Sequence, residues 1–275
     1  MAAIAGYFGS RSLVVKELSV RVSGLPDGFR GTRVFQVSDL HVGPHTPKAF
    51  LSRIASAIGD ARPDMIVITG DQVDDYARDT ESFGSAFGGL KAPLGVFAIA
   101  GNHDVYAGWN SVREGLSAMG MTVLVNEAVQ VERGGDSIWL AGVGDPAGQM
   151  WHRDGGASAA QEVDATLRGI PPGDTVLLLA HNPALWSAFA ERGVELTLSG
   201  HTHYGQLAIP RWNWNAAAPF AKHSMGSHRE NDSLLYINPG TNYWGLPFRL
   251  GTPPEVTVLV LERCEEGEVP SFEAG

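Results

Sequence analysis

The chain of 275 residues has a single cysteine, Cys264, and that scarcity removes two kinds of chemistry. No disulfide can close within the chain, and no thiolate cluster can hold a metal, so any metal must be taken by oxygen and imidazole. Long apolar runs are missing too. Nothing approaches the roughly eighteen apolar residues that a membrane-crossing helix requires. The apolar start, Met1 to Phe8, is short, has no basic residues before it and shows no cleavage site of the secretory kind. A reducing, cytoplasmic compartment is the simplest reading; the alternatives are that residues 1–10 are flexible or the remnant of an anchor. Basic residues are outnumbered, with 20 Lys and Arg against 30 Asp and Glu for a net charge of −10. This argues against nucleic acid as a bulk partner. Small phosphorylated substrates stay open, because bound cations reverse the sign of a site locally.

What is present is a repeated arrangement of short apolar runs that end on Asp, Asn or His. Met65-Ile-Val-Ile68, bounded by Pro63 and Gly70, reads as a buried parallel strand that delivers Asp71 at its C-terminal end. Val34–Val37 leads to Asp39 and His41, Val96–Ala100 to Asn102, His103 and Asp104, Val176–Leu179 to His181, and Leu196–Leu198 to His201 and His203. A carboxylate at the edge of a core must be paired or bind metal, since leaving it bare costs several kcal/mol or more. Five such clusters therefore call for a shared partner, with Asp71 as the residue the others converge on.

Taken in order, residues 12–22 read as an edge or outer strand and 47–59 as an amphipathic helix through Phe50, Leu51, Ile54 and Ile58. Residues 81–90, weakened by glycine, and 110–119 supply further helices. Residues 121–131 and 137–143 read as two strands joined by a turn at 133–136, and 148–156 as a Gly-rich loop. Helices follow at 157–167 and 183–192, and strands at 233–237 and 255–262. Residues 206–225 have no clean period. With 44% hydrophobic residues the chain can bury one substantial core, and residues 1–275 are read as one domain. Strand–helix alternation by itself suggests one open, mostly parallel sheet covered on both faces, with ligands outside the carboxyl ends of its strands.

Residues two apart on a strand share a face, so Asp39 with His41, and His201 with His203, can reach one ion together. Imidazole with oxygen, and no thiolate, favours transition metals over Mg or Ca. The ordered set Asp39-x-His41, Gly70-Asp71-x-x-Asp74, Gly101-Asn-His-Asp104, His181 and Gly200-His201-x-His203 resembles the calcineurin-like metallophosphoesterases. Gly245-Leu-Pro-Phe-Arg-Leu-Gly251 is similar to a bacterial branch that often carries an N-terminal membrane anchor. The resemblance implies an α/β fold of four layers, an α/β/β/α sandwich with mixed sheets. It implies two divalent metal ions, Mn foremost and Fe, Zn, Ni or Co as alternatives. Asp39, His41 and His203 would hold the first, Asn102, His181 and His201 the second, and Asp71 would bridge. The expected reaction is hydrolysis of a phosphomonoester or phosphodiester by in-line attack of a metal-bridging hydroxide. His103 would protonate the leaving oxygen or stabilise the transition state, Asp104 would orient its ring, and Asp74 would support the ligands from behind.

The His-x-His-x-Asp-His run of metallo-β-lactamase-type hydrolases does not occur. Two alternatives stand beside the phosphoesterase reading: a pyrophosphohydrolase acting on a nucleotide-linked lipid or sugar, and a non-catalytic metal-binding scaffold. His45, four residues after His41, is a candidate substrate contact. Residues 204–250 are read as a variable aromatic cap. Their aromatics fit interior packing, or else a lip through Trp212 and Trp214 for a lipid-bearing substrate or peripheral membrane contact.

Overall fold

A computed structural model describes residues 2–147, 159–265 and 267–274. The helices are α1 (Ala2–Gly9), α2 (Lys48–Ala61), α3 (Thr80–Phe87), α4 (Asn102–Ala118), α5 (Ala159–Thr166) and α6 (Trp186–Ala190). The first strands are β1 (Val14–Val22), β2 (Thr32–Val37), β3 (Met65–Ile68), β4 (Val96–Ala98), β5 (Thr122–Val123), β6 (Glu127–Arg133), β7 (Asp136–Gly142) and β8 (Val176–Leu179). After them come β9 (Leu196–Ser199), β10 (Ala208–Ile209), β11 (Trp214–Asn215), β12 (Gly226–Glu230), β13 (Ser233–Ile237), β14 (Glu255–Arg263) and β15 (Ser271–Ala274).

The strands make two large mixed sheets and one small ribbon. Seven strands run β15-β1-β14-β2-β3-β4-β5, six run β12-β13-β9-β8-β7-β6, and β10 pairs with β11. Within the first large sheet β2, β3, β4 and β5 are parallel, and within the second β7, β8, β9 and β13 are parallel. All ligand-bearing strands thus finish on the same side of their own sheet.

The alternation of side chains along each strand explains the layering. In β2, Val34 faces a core shared with Leu177, Leu179, Leu196 and Leu198 of the other sheet, whereas Phe35 faces Phe50, Leu51 and Ile54 of α2. In β8, Leu177 and Leu179 point to the inter-sheet core, and Val176 and Leu178 point outward to Val163 and Phe189. Helices α2, α3 and α4 cover one outer face; α5 and α6 cover the other. The result is the four-layer sandwich, and it replaces the open sheet suggested by alternation alone. A strand buried on both faces reads the same whether helix or sheet covers it, so the period could not count sheets.

Three local readings change. The expected strand 121–131 is two strands in different sheets, β5 and β6, because the chain crosses over at Asn126. There φ is 52° and the side-chain oxygen accepts the Gly144 N–H at 2.8 Å. Helix α4 starts at Asn102, eight residues before the expected 110–119, so the Gly-Asn-His-Asp turn is itself a helix start; Gly108, with φ 111°, kinks the helix inside. The 12–22 strand is not an edge, since β15 flanks it. Residues 148–156, read as a loop, lie outside the described residues. The N-terminal segment is helix α1, seated on the tail of the chain. Arg249 N–H donates to Gly6 O at 2.9 Å, and a Cβ at Gly6 would lie 2.1 Å from the Phe248 ring, so only glycine permits the contact. Ile4 and Phe8 on α1 remain exposed, and among the described residues no helix is long and apolar enough to cross a membrane.

Away from the ligand-bearing ends, Glu195 accepts the Val176 N–H at 2.7 Å, and burial pushes its carboxyl up to about 7. Between its ordinary range and that value the folded chain keeps a proton that the unfolded chain has released. Stability therefore falls as pH rises through this window. Glu195→Gln has no proton to lose and should gain about 1–2 kcal/mol over the wild type between pH 5 and pH 8. Urea unfolding of both proteins at the two pH values checks this, and parallel stabilities would refute it.

Candidate metal centre

The five strand ends meet at one point, where backbone shape does as much as side-chain chemistry. Asp39, His41, Asp71, His201 and His203 all take positive φ, between 40° and 70°. The left-handed region is uncommon for residues other than glycine and costs about 1–2 kcal/mol each. Here it turns each side chain back across the strand ends. Three glycines make the room. A Cβ on Gly70 would lie 2.5 Å from His181 Nδ1, one on Gly101 would lie 2.1 Å from Asp71 Oδ1, and one on Gly200 would lie 2.2 Å from Asp39 Oδ2. Each glycine precedes a donor of its own strand and yields its space to a donor from another.

The donors gather in two sets. In the first, His41 Nε2 lies 3.0 Å from His203 Nε2, and His203 Nε2 lies 3.3 Å from Asp39 Oδ1. In the second, Asn102 Oδ1 lies 2.9 Å from His201 Nδ1 and 3.2 Å from His181 Nε2. Asp71 Oδ2 belongs to both, 3.5 Å from His41 Nε2 and 3.3 Å from His181 Nε2. Donors about 2.0–2.2 Å from a common cation stand roughly 3.0–3.5 Å from one another in tetrahedral or octahedral arrangement. The observed spacings have that size. Imidazole nitrogens facing each other at 3.0 and 3.2 Å, beside buried carboxylates, fit divalent cations better than any pairing among themselves.

The charges tell the same story. Burial pushes Asp39 and Asp71 up, yet the imidazoles around them more than offset it. Asp39 ends well below the usual carboxylate range and Asp71 at about 2. His181 is driven well above its ordinary value against the pull of burial, chiefly by Asp71, while burial takes His203 down to about 4. Two buried carboxylates thus stay ionised and recruit positive charge from wherever the site offers it.

The remaining expected residues divide. Asp74 lies behind His41, with Oδ1 3.2 Å from His41 Nδ1. Asp104 does not orient His103. It is fully buried, and its oxygens accept the backbone N–H groups of Gly101 at 2.8 Å, Gln72 at 2.9 Å and Val73 at 3.1 Å. It caps α4 and ties that helix to the chain after Asp71; burial and the Asp71 charge push it up to about 7. The His103 ring is held instead by Asp74, whose backbone oxygen accepts from Nδ1 at 3.0 Å. His45 is exposed with no hydrogen bond to the cluster among the described residues. Trp212 and Trp214 are exposed as well, and Trp212 lies under Arg211 rather than against a ligand.

Two aromatic residues stand beside His103: Trp244, which belongs to the 204–250 aromatic segment, and Tyr106, which was not singled out from sequence. Tyr106 and Trp244, each about half exposed, set their rings 5.8 and 5.9 Å from that of His103. Tyr106 lies three residues after His103 on α4, which helical spacing could have shown. The backbone of Trp244 is gripped by the Gln206 amide, at 2.8 and 2.9 Å, a pairing without period in the sequence.

A two-sheet sandwich with converging oxygen and imidazole donors at its strand ends defines a metal-binding α/β protein. The family model for calcineurin-like phosphoesterases matches residues 32–205. A Danio rerio protein named "Transmembrane protein with metallophosphoesterase domain" is 34% identical over 263 residues, covering 91% of this chain and 57% of its own length. A Helicobacter pylori "Uncharacterized metallophosphoesterase" is 30% identical over 266 residues, covering 94% of this chain and 68% of its own length. Among solved structures, the Thermus thermophilus sulfate thiohydrolase SoxB shares the fold with a TM-score of 0.55 at 13% identity, over 86% of this chain and 57% of that one. The chain belongs to the calcineurin-like phosphoesterase family. It spans 57% of the length of the Danio rerio relative and of a Bos taurus counterpart.

Asp71→Asn keeps the shape of the shared ligand and removes its charge. Elemental analysis should then show the divalent metal bound per chain falling to about half of the wild-type content or less. An Asp71→Asn protein that retains the full complement would remove Asp71 from the shared position.

Proposed function

We propose that this chain hydrolyses phosphoester bonds with two divalent cations. Asp39, His41 and His203 would hold one, Asn102, His181 and His201 the other, and Asp71 both. The observation that carries this reading is the pair of donor sets with one carboxylate oxygen in common. Oxygen and imidazole donors suit Mn, with Fe, Zn, Ni and Co as alternatives. When bound, the cations would neutralise the charge of the ester and lower the pKa of water toward about 7.

The chain's own groups supply the rest. His103 follows Asn102 directly and gives its Nδ1 hydrogen to Asp74 O, which leaves Nε2 as the nitrogen that exchanges a proton with the leaving oxygen. Asp74 serves twice, since its carboxylate lies behind His41 while its carbonyl fixes the tautomer of His103. Asp104, committed to three backbone N–H groups, holds the α4 start that presents Asn102 and His103 together.

Trp244 and Tyr106 flank the proton-donating ring, so a substituent on the leaving oxygen meets aromatic surface. This favours a phosphodiester, or a pyrophosphate that joins a nucleotide to a lipid or sugar, over a small monoester. His103→Ala should lower kcat roughly 10²–10⁴-fold on nitrophenyl esters with metal content unchanged. Turnover at the wild-type rate would discard its role. Trp244→Ala should raise KM for the nitrophenyl esters several-fold if the lip meets the leaving group, and an unchanged KM would argue against the aromatic-lip reading.

A further inference from the structure

Arg249 lies in the Gly245–Gly251 segment, outside the residues 32–205 that carry every candidate ligand, and yet its side chain ends beside one of them. It is 1% exposed. Its Nη2 is 2.8 Å from His203 Nδ1 and 2.7 Å from Pro239 O and also touches Asn242 O, while Nη1 is 3.3 Å from Thr252 O. Burying a guanidinium away from water is costly unless its hydrogens are used. Here Nη2 shares its two hydrogens among the His203 imidazole and the Pro239 and Asn242 carbonyls and Nη1 meets the Thr252 carbonyl, while Nε has no acceptor among the described residues.

The contact is unusual in direction. A histidine that ligates a metal commonly gives the hydrogen of its other ring nitrogen to a carboxylate or a carbonyl. A guanidinium has only donors, so His203 Nδ1 must accept. The ring is then held by a charge-assisted bond on the side away from the cluster, with Nε2 turned toward Asp39 and His41. The surroundings are built for this meeting. Gly240 has φ 91°, and a Cβ there would lie 2.7 Å from Arg249 Nη2, 2.9 Å from His203 Nδ1 and 3.2 Å from the Cβ of Asp39. The same segment is fastened to the turn that carries Asp39. Thr241 N–H donates to Ser38 O at 2.7 Å and the Asn242 side chain to Leu40 O at 2.8 Å.

We propose that Arg249 is a positioning residue for the cation site formed by Asp39, His41 and His203, fixing the His203 ring through Nδ1 so that Nε2 is presented to the ion. The inference rests on the two-cation reading. Without Arg249 the ring can turn and the segment 238–249 loses its tie to it, so this site weakens while the site of Asn102, His181 and His201 keeps its affinity. General destabilisation would instead move both.

The test is calorimetric titration of metal-stripped protein with MnCl2. The wild type should bind two ions. Arg249→Ala should weaken one site roughly 10–100-fold and leave the other within about twofold, and Arg249→Lys, which keeps a charged donor, should recover part of the loss. Equal affinities in wild type and a folded Arg249→Ala, or an equal loss at both sites, would overturn the proposal. Should neither variant fold, nitrogen-15 NMR of the metal-stripped wild type reads the contact directly, with His203→Gln to assign the signal. His203 Nδ1 should carry no hydrogen, and a hydrogen on it would overturn the proposal. A wild type that binds no divalent ion would overturn the function proposed above, while the NMR result would still report on Arg249 and His203.

Discussion

Two ionised carboxylates, Asp39 and Asp71, stand buried within a few ångströms of four imidazoles at the seam between two sheets. Among the described residues, three of the groups of buried or half-buried acids and imidazoles close enough to share an ion overlap here. A core of this kind can persist only if positive charge is drawn into it or protons are taken up, and the local structure is organised around that demand. Five left-handed residues and three glycines are the conformational cost of bringing the donors close enough to share ions. The hydrophobic layers above and below supply the rigidity against which such strain can be held.

The two sheets contribute unequal halves. Asp39, His41, Asp71 and Asn102 follow β2, β3 and β4 of the seven-stranded sheet, while His181, His201 and His203 follow β8 and β9 of the six-stranded one. Neither sheet holds a complete set. Cations bound there would join the sheets at the edge where the apolar core ends, adding to stability with the logarithm of their free concentration once it exceeds the dissociation constant. The His203 ring then matters doubly, since it belongs to one sheet and completes the set begun by the other.

Much of the centre was legible in the sequence because it is made of local units. A short, mostly apolar run followed within three residues by an acid, amide or imidazole, after glycine in three of the five cases, is a strand end with a donor, and each of these strand ends is present in the fold. What the sequence concealed was relational. Periodicity cannot tell a sheet covered by helices from one covered by another sheet, so the sandwich followed from the family resemblance and not from the pattern. The run 121–131 hid a crossing between sheets, since residues on both sides of Asn126 alternate as a single strand would. Asp104 looked like a partner for its neighbour His103, but a carboxylate at the third position of a helix is better placed to take the backbone N–H groups at the helix start, and it does. Trp244 and Arg249 sit in a stretch without regular period and gained their places through Gln206, Gly240 and His203, which are distant in sequence.

The place of β14 adds a matter of timing. It is inserted between β1 and β2, and the segment before it carries the clamp on the turn at Asp39. A ribosome making this chain releases every candidate ligand by residue 203, well before the strand that closes the sheet. The nascent protein therefore passes through an interval in which its donors are all outside the tunnel and the pocket is still unshaped. Any discrimination among cations would then wait until residues 238–263 have folded back and given the donors their final spacing.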